Sequence, residues 1–216
     1  MKLFSPDSKF MRAMSLLGDL IVLNLVFLLC CVPVVTVGAA LTALDTAAFR
    51  LSRGNEGRLL ALFFRSFRQS FRRATFLWLL LLLVFAVALL GLRLFSVFGG
   101  ALRLLLVPSA LLMLLALFAA GYAFPLLSQF ENTVIGTLKN AVFLSLGYLP
   151  RTLLITALNL FPFALLLWDT YLFFCTGFIW VFLYFSAAAY LIAKLLKKVF
   201  APYRGDEKEE KDHDRA

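Results

Sequence analysis

The stretch Phe76–Leu92, FLWLLLLLVFAVALLGL, carries no charge and no proline. A helix rises about 1.5 Å per residue and the hydrocarbon core of a bilayer is about 30 Å thick, so roughly twenty such residues cross it. Composition extends the reading to the whole chain. Of its residues 62% are hydrophobic and 15% charged, with a mean hydropathy of +0.93, whereas a soluble domain has about 45–50% apolar and about 25% charged residues. The sequence therefore predicts an all-α, polytopic transmembrane helical bundle. With 216 residues there is room for a handful of spans and for no large domain outside the membrane.

Working outward, about five spans are expected, at 17–44, 76–97, 102–124, 152–168 and 172–195. The first is broken, because Pro33 lacks a backbone donor and clashes with the preceding turn, and Gly38 follows it. The third is expected to close at Pro125, and a polar linker at 131–139 separates it from the fourth. Residues 1–200 form one transmembrane domain. Residues 201–216, dense in mixed charge, are expected to be a disordered cytoplasmic tail.

Net charge is +9. In a soluble protein that balance would raise nucleic acid as a partner, but basic residues beside apolar spans are what retains loops on the cytoplasmic side, so nucleic acid is not expected here. Arg50, Arg53, Arg58, Arg65, Arg68, Arg72 and Arg73 crowd one loop, and Lys194, Lys197 and Lys198 close the last span. The C-terminus is thus expected in the cytoplasm. For the N-terminus two arrangements stand: a single kinked crossing by the first block, or a short re-entrant segment that returns Lys2, Lys9 and Arg12 to the inside. A cleavable signal peptide does not fit, since the apolar run from Leu20 continues far past the length of a signal h-region.

Within the basic loop, Leu60, Phe63, Phe64, Phe67 and Phe71 recur at three- and four-residue steps. Arg58, Arg65, Arg68, Gln69 and Arg72 take the other face, with Arg73 following. This pattern predicts an amphipathic helix over 58–73 lying in the interface, its rings in the acyl boundary and its guanidinium groups among anionic headgroups. It fits a membrane anchor or a docking helix for a cytoplasmic partner. A weaker echo, FRRAT at 71–75 and LPRT at 149–152, each with a proline-ended span upstream, raises the possibility of two parallel repeats.

The run Asn24–Ala43, NLVFLLCCVPVVTVGAALTA, the turn Arg53–Gly57 and the Phe63, Phe67, Phe71 helix resemble the YesL-like family of bacterial membrane proteins. The resemblance covers most of the first hundred residues. It implies a family without an assigned molecular function, found beside carbohydrate transport and utilisation genes, and hence the plasma membrane of a Gram-positive bacterium. The family pattern has an aromatic residue where this chain has Asp45, so any role for Asp45 rests on this sequence alone.

Physical reasons for the signature are available. Pro33 frees the carbonyl of Leu29, Thr36 offers a hydroxyl to released backbone groups, and Gly38 permits close approach. Such a break either lines a ligand site or is a structural kink. Asn24, Pro33, Thr36, Gly38 and Asp45 are therefore the candidate residues. Asp45 is placed to pair with Arg50, and Asp19, Asp45, Glu131 and Asp169 all fall near expected span ends, where solvated carboxylates are the default reading.

Catalysis finds little footing. His213 is the single histidine, and no nucleotide loop, nucleophile elbow or zinc helix occurs. Asp45 and Glu131 are the only carboxylate pair to nominate. Cys30, Cys31 and Cys175 lie in apolar runs without ligand spacing, so neither metal nor other cofactor is expected. The expected partners are the lipid bilayer and a membrane transporter subunit. Three classes remain: an accessory or regulatory component, by resemblance one of carbohydrate transport; a small transporter or channel acting alone; and, last, an enzyme. The first is preferred, and the sequence sets no oligomeric state.

Overall fold

The computed structural model describes residues 9–54, 58–97 and 100–213, except for the side chains of 9–13, 97, 100–102 and 201–213. These residues are helical almost throughout. The helices are α1 (Lys9–Cys31), α2 (Val37–Ser52), α3 (Leu59–Val97), α4 (Leu106–Gln129), α5 (Val134–Gly147), α6 (Leu149–Trp168), the short α7 (Thr170–Cys175) and α8 (Gly177–Ile179), and α9 (Phe185–His213). A 3₁₀ turn at Val34–Thr36 joins α1 to α2, another at Gly100–Leu105 leads into α4, and Trp180–Tyr184 is π-helical. Among the described residues six helices are long and apolar enough to cross a membrane. The difference from the expected five is local. The first block is two separate helices, not one kinked one.

The basic stretch 58–73 is not a separate interfacial helix. It is the first half of α3, a single helix of 39 residues that also contains the span at 76–97. Nothing in it breaks a helix: it contains no proline, and its only glycine is Gly91. One buried stripe, Leu59, Phe63, Ser66, Ala74, Leu77, Leu81 and Ala88, runs its length at steps of one or two helical turns, so both halves turn the same face inward. Three other boundaries move. Pro125 lies inside α4, which runs on to Gln129; the donor that Pro125 lacks would have bonded Gly121, at a site closely covered by Ile155. The linker after Glu131 is mostly the apolar helix α5, capped by Thr133, whose hydroxyl accepts the Gly136 N–H at 3.2 Å. Finally, α9 is helical through 201–213, where disorder was expected. Glu207 stands four residues before Lys211 there, a spacing that favours helix.

α2 is the centre of the bundle, buried on nearly every side through Ala39, Ala40, Ala43, Leu44, Ala47, Ala48 and Phe49. Small side chains let neighbours approach closely. It packs antiparallel to α3: Gly38 meets Ala74 and Trp78, and the Thr46 and Ser66 hydroxyls are 2.8 Å apart. The turn between them passes through Gly54 at φ +79°, a conformation that favours glycine. α4 packs antiparallel to the other half of α3, with Gly91 against Ser109 and the Trp78 ring 6.2 Å from that of Phe124. α9 closes the far side of α2, its Phe200 ring stacked on Phe49 at 5.8 Å and edge-on to Phe130 at 5.6 Å. The FRRAT segment of the expected repeat lies mid-helix in α3, whereas the LPRT segment opens α6. The two junctions differ in local structure.

Candidate functional site

The break at Pro33 is held by side chains. Thr36 donates its hydroxyl to the carbonyls of Cys30 at 2.6 Å and Pro33 at 2.7 Å. The freed carbonyl it reaches is thus that of Cys30; Leu29 accepts instead from the Val32 N–H at 3.4 Å. The Trp78 indole N–H donates to the Val34 carbonyl at 3.0 Å, tying the turn to α3. Gly38 completes the junction. A Cβ there would collide with the Ala74 carbonyl oxygen and come within 2.6 Å of the Trp78 Cβ, so the α2–α3 approach requires glycine.

Asn24 lies elsewhere and acts differently. Fully buried, it donates its Nδ2 to the carbonyls of Trp180 at 3.0 Å and Val181 at 2.7 Å, and its Oδ1 accepts the Ser186 N–H at 2.9 Å. Ser186 returns a bond to α1, its hydroxyl donating to the Leu20 carbonyl at 2.7 Å. A π-helical turn disturbs the regular ladder of α-helical bonds, and π-turns gather at functional sites. One amide side chain here serves both the donors and the acceptors of that turn. The partners lie more than 150 residues away in sequence, so no local pattern could have revealed them.

Asp45 does not sit at a span end. It lies in the middle of α2, 8% exposed, and forms no ion pair with Arg50, which is exposed. Among the described residues no hydrogen-bond or ion-pair partner of its carboxylate is found, and its oxygens are not among the fully enclosed ones left without a partner, which are the hydroxyls of Thr75 and Thr156. Glu131 is exposed in the loop between α4 and α5, so the nominated carboxylate pair divides between the interior of α2 and a surface loop.

The basic face survives, though its surroundings change. Arg65, Arg68, Arg72 and Arg73 are all exposed on α3, and Arg58, also exposed, immediately precedes it. The aromatic face expected in the acyl boundary divides: Phe63 is fully buried in the core cluster, whereas Phe64 is 53% exposed among the arginines. A ring ladder links the two environments, Phe63 to Phe67 at 6.3 Å and Phe67 to Phe71 at 5.7 Å. Two adjoining shallow, open grooves follow along the outer face of α3 alone, one of about 650 Å³ lined by Phe64, Arg65, Arg68 and Gln69, the other of about 700 Å³ reaching Arg72 and Arg73.

Sequence reasoning missed the polar residues that join helices: Ser66, Trp78, Ser186, and Thr152, whose hydroxyl lies 3.1 Å from that of Tyr122 and donates to the Ser145 carbonyl at 2.7 Å. Their one visible signal is a small hydroxyl or an indole inside an apolar run. Among the described residues no group of three histidine, cysteine or carboxylate side chains is placed to hold a metal.

Fold and face together define a polytopic α-helical bundle with one strongly basic helix surface. Residues 20–92, about a third of the 216, match a family described as "Protein of unknown function, DUF624". The matched part covers the second half of α1, the break at Pro33, α2 and most of α3. No curated protein and no solved structure matches the chain.

Proposed function

We propose that this protein is an accessory component of a membrane transport system, serving through contact with a partner rather than through chemistry of its own. The observation that carries the reading is the exposed Arg65, Arg68, Arg72 and Arg73 face of α3, which contains no acidic residue. A surface of one sign recruits partners of the other. The matched region includes the Asn24–Ala43 run and the Phe63, Phe67, Phe71 helix on which the YesL-like resemblance rests, and that name is consistent with the family matched. By that resemblance the system is one of carbohydrate uptake in a bacterial plasma membrane. The lysine and arginine distribution supports a cytoplasmic placement for the basic half of α3 and for the C-terminus.

A second reading, a small carrier acting alone, is favoured by the break between α1 and α2 at Pro33, since discontinuous helices line the substrate sites of carriers. One pair of experiments separates the two. Purification from native membranes in mild detergent yields a stoichiometric transporter partner if the accessory reading holds. Substrate-dependent flux into liposomes containing this chain alone would replace it with the carrier.

A further inference from the structure

Arg73 and Arg93 bracket the uncharged segment 74–92 of α3. Twenty steps of about 1.5 Å separate them by about 30 Å, the thickness of the hydrocarbon core. Those two residues therefore mark its two faces. Because α3 continues unbroken to Leu59, the part before Arg73 leaves the bilayer end-on instead of lying along it. The headgroup layer adds about 5–7 Å on each side. Arg65 stands about 12 Å beyond Arg73 along the helix axis and Phe64 a further residue out. Even at a tilt of about 40°, the upper end for membrane helices, Arg65 remains about 9 Å out. Arg72 and Arg73 thus meet lipid phosphates, while Phe64 and Arg65 stand past them in water. α2 goes with them, since its Gly38 pairs with Ala74 and Trp78 and its Thr46 with Ser66. The α2–α3 hairpin, with the ends of α4 and α9 packed on α2, forms a stalk beyond the membrane face.

A phenyl ring 53% exposed between guanidinium groups, beyond the reach of lipid, is a surface suited to a protein. Resting on the accessory reading above, we infer that the groove of about 650 Å³ lined by Phe64, Arg65, Arg68 and Gln69 receives an acidic helical segment of a partner protein. Its carboxylates pair with Arg65 and Arg68, which offer bidentate donors, and an apolar side chain covers Phe64. The adjoining groove carries the same chemistry on to Arg72. From Phe64 to Arg72 the helix advances about 12 Å, the length of two turns of a docked helix.

The test places a benzophenone-bearing phenylalanine at position 69 in the full chain and irradiates native membranes. The expected product is a protein adduct whose attached peptide is rich in Asp and Glu. Its yield falls about tenfold or more in Arg65→Glu/Arg68→Glu and is largely kept in Arg65→Lys/Arg68→Lys. A phospholipid adduct, a protein adduct indifferent to charge reversal, or no adduct overturns the inference. A nitroxide on Phe64→Cys, with Cys30, Cys31 and Cys175 replaced by alanine, in vesicles containing anionic lipid gives a readout independent of any partner. Collision with an aqueous nickel complex is expected, and an oxygen-rich, nickel-shielded label would place the groove in lipid and sink the proposal. Should the double reversal fail to fold, Arg65→Gln/Arg68→Gln replaces it. A transporter partner that still co-purifies with the charge-reversed protein leaves the accessory role standing and removes this face from it.

Discussion

Gly38→Ala is the sharpest probe of the α2–α3 stalk. The added methyl would meet a backbone oxygen, that of Ala74, and the Trp78 Cβ at 2.6 Å. Neither is the free end of a flexible side chain, so the helices must separate. Overpacking of this kind costs about 1–3 kcal/mol. Separation also stretches the bond from the Trp78 indole to the Val34 carbonyl, now 3.0 Å, whose loss costs about 0.5–1.5 kcal/mol. The expected total is about 2–4 kcal/mol, read as a lowered midpoint of denaturant unfolding in detergent micelles and as a red-shifted Trp78 emission in a variant lacking the other tryptophans. Gly18→Ala is the control. Gly18 lies inside α1 with nothing within 4 Å of its built Cβ, so alanine there is expected to stabilise by about 0.5–1 kcal/mol through helix propensity. If Gly38→Ala matched Gly18→Ala in sign and size, the close approach of α2 to α3, and with it the stalk, would be refuted.

Asn24→Leu removes two bonds to carbonyls of the π-helical turn and leaves the Ser186 N–H, at the start of α9, without its acceptor. A loss of about 2–3 kcal/mol is expected, together with faster amide exchange at Ser186, and unchanged exchange there would count against the clamp. Thr46→Val and Ser66→Ala, taken singly and together, are expected to couple by about 0.5–1 kcal/mol through the 2.8 Å hydroxyl pair, and strictly additive losses would deny the contact. Asp45→Leu should hold or raise the melting temperature, because a buried carboxylate without partners costs desolvation that leucine does not. A drop of several degrees would reveal a partner for it. Arg68→Cys in a variant with Cys30, Cys31 and the exposed Cys175 replaced by alanine is expected to resist a membrane-impermeant maleimide in intact cells until they are opened, and labelling from outside would invert the orientation proposed.

Sequence by itself determined the class of this protein and most of its helices, because both depend on local quantities. A run such as Phe76–Leu92 needs only apolar residues over about the length of a span and no charge, whereas a proline did not by itself decide a helix end, since Pro33 breaks one while Pro125 and Pro162 lie inside α4 and α6. The arginine face of α3 was legible for the same reason: three- and four-residue spacing places side chains on one side without help from other helices. Tertiary structure decided what each face touches. Whether Phe63 met lipid or protein depended on α2, whose small residues let it lie against α3 along the buried stripe that makes 59–97 one helix. The identity of Asn24's partners was likewise settled only by the fold, since Trp180, Val181 and Ser186 come near α1 through packing across the chain. Asp45 shows the limit most clearly: its place near the end of an apolar run predicted solvent, and only the helices closing around α2 made it a buried carboxylate without a partner.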